Sequence, residues 1–258
     1  MQRIGYIEGD SFAHRLDPVS KIVVLLSFCV FAIFEMNTNL MVAGFVLVMA
    51  MVSISGIGLV RGLRKLRAVV VLCVALFLFQ VIFNKSGGPI LNPIPSGLGE
   101  VLLITTGGIR AGARIALRLM IIVLASLFFV GTTDPSTLAY SLMKRGIPYR
   151  YGFTFILAMR FVPLFQAEAS TVRRAQTARG LRIDRPGPRS LMRLARYTFV
   201  PLLVSAFRRV GEISVSMEGR GFGLRSERGY LRVSRFRFSD LLVCLTSLAL
   251  TSLALYLG

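Results

Sequence analysis

The feature that most constrains this chain is residues 36–60, a run without a single charge that ends against Arg61. A bilayer-crossing helix needs about 20 mostly apolar residues, and this run is long enough. Four more runs resemble it: 22–36, interrupted only by Glu35, then 68–84, 119–133 and 241–258. The run at 119–133 needs the preceding turn or two to cross. The expected fold is an all-α integral membrane protein with about five transmembrane helices.

The charges lie between these runs. Net charge is +19 and mean hydropathy +0.68, with 54% of residues hydrophobic. A basic excess alone suits nucleic acid, but here it falls in blocks, as cytoplasmic loops do under the positive-inside rule. Arg3, Arg15 and Lys21 precede the first run, and no basic residue separates the first from the second. Arg61, Arg64, Lys65 and Arg67 follow the second run, and the Pro/Gly-rich loop 84–99 has only Lys85. This alternation places the N-terminus in the cytoplasm and the Pro/Gly loop outside. The stretch 151–167 is apolar but contains Arg160 and Pro163. Were it to cross, it would export residues 168–237, which hold sixteen arginines against Glu168, Asp184, Glu212, Glu218 and Glu227. It is therefore read as non-spanning. Three regions result: 1–133 with four spans, a basic cytoplasmic insert of helices at 134–236, and a last span at 237–258.

Local signals agree. Asp17-Pro18 and Asp134-Pro135 each offer an N-cap followed by proline at the first helical position. The second opens a helix at 136–145 that Gly146 and Pro148 stop. Arg185-Pro186-Gly187-Pro188 breaks the insert in two. Cys29, Cys73 and Cys244 all fall in apolar runs and read as small buried hydrophobes, and His14 has no ligand or triad partner near it in sequence. No G-x-x-x-x-G-K-[ST] is present, so no cofactor is expected on this chain. Gly219-Arg220-Gly221-Phe222-Gly223 lacks the preceding strand that a dinucleotide loop requires. Arg110, Arg114 and Arg118 repeat every four residues. They read as interfacial snorkelling charges or as a packing face toward another subunit or the basic helices.

One pattern occurs twice in the insert. Phe161-Val162-Pro163-Leu164, Arg173-Arg174 and Arg179-Gly180 are matched by Phe199-Val200-Pro201-Leu202, Arg208-Arg209 and Arg220-Gly221. Measured from its proline, the first arm is about 25 Å of helix and the second about 30 Å, at roughly 1.5 Å per residue. Leu203, Ala206, Val210, Ile213 and Met217 form a narrow apolar seam on the second arm, and Phe165, Val172 and Ala175 a similar stripe on the first. Small residues such as Ala167, Ala169, Ser205 and Gly211 allow two helices to approach closely.

Ala178-Arg179-Gly180 and Gly219-Arg220-Gly221 resemble the paired Xaa-Arg-Gly motifs of the transmembrane T component of energy-coupling-factor (ECF) transporters. Arg15-Leu16-Asp17-Pro18, Thr132-Thr133-Asp134-Pro135 and Arg160-Phe161-Val162-Pro163 match other signatures of that family, so the resemblance covers nearly the whole chain. It implies a multi-pass subunit of a prokaryotic cell membrane that is not an enzyme. Two long crossing helices would dock two ABC-type ATPase subunits, which bind the ATP, through the six motif residues. The membrane helices would bind a substrate-capturing S component for vitamin uptake, or for cobalt or nickel. A different reading of the same basic surface is an integral-membrane enzyme that clamps lipid or polyprenyl phosphates with arginine. It expects acidic metal ligands near the interface, and the sequence offers none. Nucleic acid is disfavoured because the basic insert has few aromatics to stack on bases.

Overall fold

The computed structural model describes residues 11–35, 37–56, 67–84, 86, 88–91, 104–180, 188–224 and 238–257. The basic block Arg61–Arg64–Lys65, Lys85, the loop 92–103, the break at 185–187 and the stretch 225–237 lie outside them. Among the described residues the fold is helical apart from one two-stranded ribbon. The helices are α1 (Phe12–Arg15), α2 (Pro18–Phe34), α3 (Thr38–Ile54), α4 (Arg67–Phe83), α5 (Thr106–Thr132), α6 (Pro135–Lys144), α7 (Tyr149–Ala178), α8 (Pro188–Gly219) and α9 (Phe238–Leu257). Strands β1 (Pro89–Leu91) and β2 (Ile104–Thr105) pair antiparallel, between α4 and α5.

The chain divides into two compact units. One comprises residues 3–142 and 234–258, the other 143–233 with the first two residues. In the first unit, α2, α3, α5 and α9 enclose a core of Val24, Phe28, Phe31, Val48, Ile121, Leu124, Ala125 and Ala254. Helix α4 joins by packing along α5. Gly108 and Gly112, one turn apart, make that approach possible. A Cβ on Gly112 would stand 3.0 Å from the Phe77 carbonyl, and one on Gly108 3.2 Å from that of Val81. The outer faces stay apolar: Val71, Val74 and Phe79 on α4 and Leu245, Leu248 and Leu253 on α9 are all exposed. A broad apolar face of this kind suits lipid better than water.

Helix α5 is long and apolar enough to cross a membrane. It starts thirteen residues before the uncharged run at 119–133 and so takes in Arg110, Arg114 and Arg118. For Arg118 the cause is visible. Its guanidinium donates from Nε to the Ala32 carbonyl at 2.6 Å and from Nη2 to the Glu35 carbonyl at 3.5 Å. These carbonyls belong to the last turn and C-cap of α2, where acceptors lack intrahelical partners and a cation is favoured. Arg118 is thus a helix cap supplied from a neighbouring helix rather than a snorkelling charge. Arg118→Leu is expected to cost about 1–3 kcal/mol by stranding these acceptors, read as a lower thermal unfolding midpoint in detergent. Arg118→Lys should recover part of the loss.

A second polar cluster closes the opposite end of the same bundle. Asp17 holds the N-cap position of α2, yet its carboxylate makes no cap bond there. It accepts instead from the Ser141 hydroxyl on α6 at 3.0 Å, while its backbone N–H donates to Asp240 Oδ1 on α9 at 2.8 Å. Lys21, only 2% exposed, donates from Nζ to the Thr132 carbonyl at the end of α5 at 2.8 Å. Its charge is opposed by those of Asp17 and Asp240. Four helices are joined here through buried polar groups, which must be paired to be tolerated. Ser141 also draws α6 into this unit, so the unit extends to Leu142.

Candidate functional site

The second unit holds both Arg-Gly repeats. Helices α7 and α8 are 30 and 32 residues long, roughly 45–48 Å each. Neither stops at its proline: Pro163 and Pro201 both lie inside continuous helix. The arms therefore begin well before the prolines and are nearly equal in length. Helix α7 is also apolar and long enough to cross a membrane by length and composition.

The two helices pack against each other and run antiparallel. Phe222, just past the end of α8, rests on Tyr149 and Phe153 in the first turns of α7, with ring centroids 6.3 and 4.8 Å apart. Farther along, the Ser205 hydroxyl of α8 donates to the Glu168 carboxylate of α7. Residues later in α7 thus meet residues earlier in α8. As a result Arg179 and Arg220 sit at opposite ends of the pair, separated by roughly 35–40 Å of helix at 1.5 Å per residue.

Both Arg-Gly ends place the glycine at positive φ with its N–H bonded to the carbonyl three residues back. In α7, Arg179 is the C-cap, its N–H bonded to the Ala175 carbonyl at 3.1 Å. Gly180 follows with φ +88°, its N–H bonded to Thr177 at 3.0 Å. In α8, Gly221 has φ +68° and bonds to the Glu218 carbonyl at 2.9 Å, while Phe222 bonds back to Met217 at 2.9 Å. That pair of bonds is the Schellman termination, which needs a residue in the left-handed region and so selects glycine. Ala178, Arg179, Gly180, Gly219 and Arg220 are exposed and Gly221 is half-buried. Each motif is therefore a rigid helix end that presents one always-charged planar fork to the surroundings.

The apolar seam differs from the sequence expectation. Phe165 and Val172 on α7, and Ala206, Ile213 and Met217 on α8, are half-buried. Ala175 is exposed, as are Leu203 at 42% and Val210 at 56%. The reason is that polar residues occupy the inner face where the helices meet. Glu168 falls in line between Phe165 and Val172, and Ser205 and Arg209 share one face of α8. Sequence reasoning assigned Glu168 and Phe222 no role here, and Arg209, which reads there as a solvated or headgroup-facing charge of the repeat, is half-buried. The signal for Glu168 was its three- and four-residue spacing within the Phe161–Phe165–Val172 stripe.

A largely helical bundle with a lipid-suited outer face fits a membrane protein, and its second unit carries two exposed cationic helix ends. Residues 9–231 match the family described as CbiQ, cobalt transport protein, and the chain belongs to that family. It is 28% identical to the energy-coupling factor transporter transmembrane protein EcfT of Listeria innocua, over 98% of this chain and 96% of the relative. Identity to the proteins of the same name is 30% in Streptococcus thermophilus (98% and 96% covered) and 31% in Limosilactobacillus fermentum (91% and 89% covered). All three relatives are named as transporter components, not as enzymes. The phosphate-clamping enzyme reading therefore has no support among them.

Proposed function

We propose that this chain is the membrane coupling subunit of an ECF-type uptake transporter. Its two Arg-Gly helix ends would each dock one cytoplasmic ABC-type ATPase subunit, and its membrane helices would engage a separate solute-binding S component. The observation that carries this reading is the repeated cap geometry, with Arg179 and Arg220 exposed at opposite ends of one antiparallel pair. A guanidinium held on a rigid turn suits carboxylate or carbonyl acceptors in a partner groove. Left-handed Gly180 has open space around it, so a partner backbone can come close.

The proposed topology is five spans, α2, α3, α4, α5 and α9, with the N-terminus cytoplasmic in a prokaryotic cell membrane. Contacts in the bundle support it. The start of α2, the end of α5, α6 and the start of α9 meet around Lys21, as inward-facing ends should. The Thr105 hydroxyl donates to the Asn84 carbonyl at 2.8 Å, joining the end of α4 to the start of α5 at the other side. Helix α7 stays at the cytoplasmic face in this reading because its crossing would export the arginines of α8. The solute belongs to the S component, and either a vitamin or a cobalt or nickel ion fits. The test is co-purification in mild detergent with ATPase and S subunits encoded beside this chain. Two ATPase subunits per chain are expected, and their absence from the wild-type preparation would end this reading.

A further inference from the structure

We propose that a slot between α2, α3 and α9 holds the end of a phospholipid acyl chain. The slot has a volume of about 170 Å³ and is walled by residues of all three helices. Its depth is set by where those residues fall. Ser27 and Phe31 lie in the second half of α2, Leu40 and Ala43 in the first half of α3, and Thr251 and Ala254 in the second half of α9. Helices α2 and α9 begin together at the Lys21 cluster, where the Asp17 N–H meets Asp240, so the slot lies toward the opposite end of the bundle. In the topology proposed above, that end is the outer half of the membrane. Leu47, Leu250 and Leu253 at the slot are exposed, so it opens onto the apolar outer face.

The lining selects the occupant. No ionisable side chain lines the slot. The Ser247 and Thr251 hydroxyls turn back onto the Cys244 and Leu248 carbonyls of their own helix, at 3.0 and 2.9 Å. The Ser27 hydroxyl is buried with no partner, and a serine on a helix can make the same bond. An ordered water needs about two to four polar partners, so water does not suit the slot, and a phosphate or other headgroup has nothing to bind there. Volume decides between the apolar occupants. An apolar cavity of about 150 Å³ takes a molecule the size of benzene, so a chain end of roughly six carbons fits. A partner's transmembrane helix, about 10–12 Å across, does not. Small residues keep the space open. Ala43 and Ala254 supply only methyl groups, and Gly44 receives the Phe31 ring where even a Cβ would collide with it. Left empty, the walls forfeit dispersion contacts. An acyl chain restores them with no desolvation cost, because lipid tails are as apolar as the walls themselves.

The test is native mass spectrometry of the full chain, purified in mild detergent with palmitoyl-oleoyl phosphatidylcholine added. A zwitterionic headgroup keeps a chain of net charge +19 from holding the lipid by charge alone. Wild type is expected to retain a single lipid. Ala43→Leu and Thr251→Leu, which fill the slot from α3 and α9, should each lower that retention about tenfold. Val46→Leu, at an exposed position of α3 outside the slot, should leave it unchanged. Thermal unfolding separates filling from misfolding. In lipid-free detergent the filled variants should unfold no earlier than wild type, and added phosphatidylcholine should raise the wild-type midpoint by more than theirs. If one filled variant misfolds, the other decides. Equal retention by wild type and a folded, filled variant overturns the proposal, as does a wild type that holds no lipid. The same count on the assembled transporter tests the other occupant. Loss of the lipid on assembly would place a partner helix in the slot and would also overturn the proposal. None of these results bears on ATPase docking, which co-purification reads separately.

Discussion

Replacing Arg179 and Arg220 together with alanine is expected to abolish uptake while leaving the chain inserted and the bundle folded. Both side chains are exposed and neither contributes to the core, so stability should hardly change. A desolvated arginine at a protein interface commonly costs 2 kcal/mol or more on truncation, about thirtyfold in affinity. The two sites lie at opposite ends of the helix pair, too far apart to share contacts, so the losses should add to about a thousandfold. Each single variant should keep its ATPases through the other arm, because two linked sites bind with a high effective concentration. Singles are therefore expected to co-purify with ATPase yet transport poorly, and the double to lose both. Co-purification and uptake, measured on matched membrane amounts, check this. Wild-type ATPase retention by the double variant would mean the contact lies elsewhere.

Lys21→Met should have the largest effect on stability. It removes the donor to the Thr132 carbonyl and leaves Asp17 and Asp240 facing each other in a buried site. Removing one partner of a buried charge cluster costs about 3–5 kcal/mol, whereas neutralising the whole cluster is often tolerated. The triple variant Lys21→Met, Asp17→Asn, Asp240→Asn keeps the oxygen that receives the Asp17 N–H and the one that receives Ser141. It should recover at least half of the loss in thermal unfolding measured in detergent. Equal instability of the single and triple variants would show that the cluster acts through shape rather than charge.

Much of the bundle was legible in sequence because apolar run length is a direct consequence of bilayer thickness. The uncharged runs at 68–84 and 241–258 fall almost wholly within α4 and α9. What the runs hid was the role of charges at their edges. Asp17 reads as an N-cap and Lys21 as an inside charge, and Asp240 stands out by no pattern, but their partners are 111 to 223 positions away, and no local pattern encodes such pairing. Arg118 extended α5 for the same reason: its acceptors are 83 and 86 residues earlier in the chain. In the second unit, the Arg-Gly repeat announced two helix ends, and glycine's access to positive φ explains why. Their placement at opposite ends of an antiparallel pair depends on contacts such as Phe153 with Phe222, which repetition alone does not reveal. The prolines misled because a helix supported by a packed neighbour can absorb one, as α7 and α8 both do.

The most direct test of the central claim is a photo-crosslinking residue placed in turn at Arg179 and Arg220 in membranes that also contain the ATPase subunits. Capture of an ATPase subunit from both positions is expected, with no capture from an exposed control such as Arg173 on α7. Capture from neither position, or from only one, would contradict a grip built on two matched helix ends.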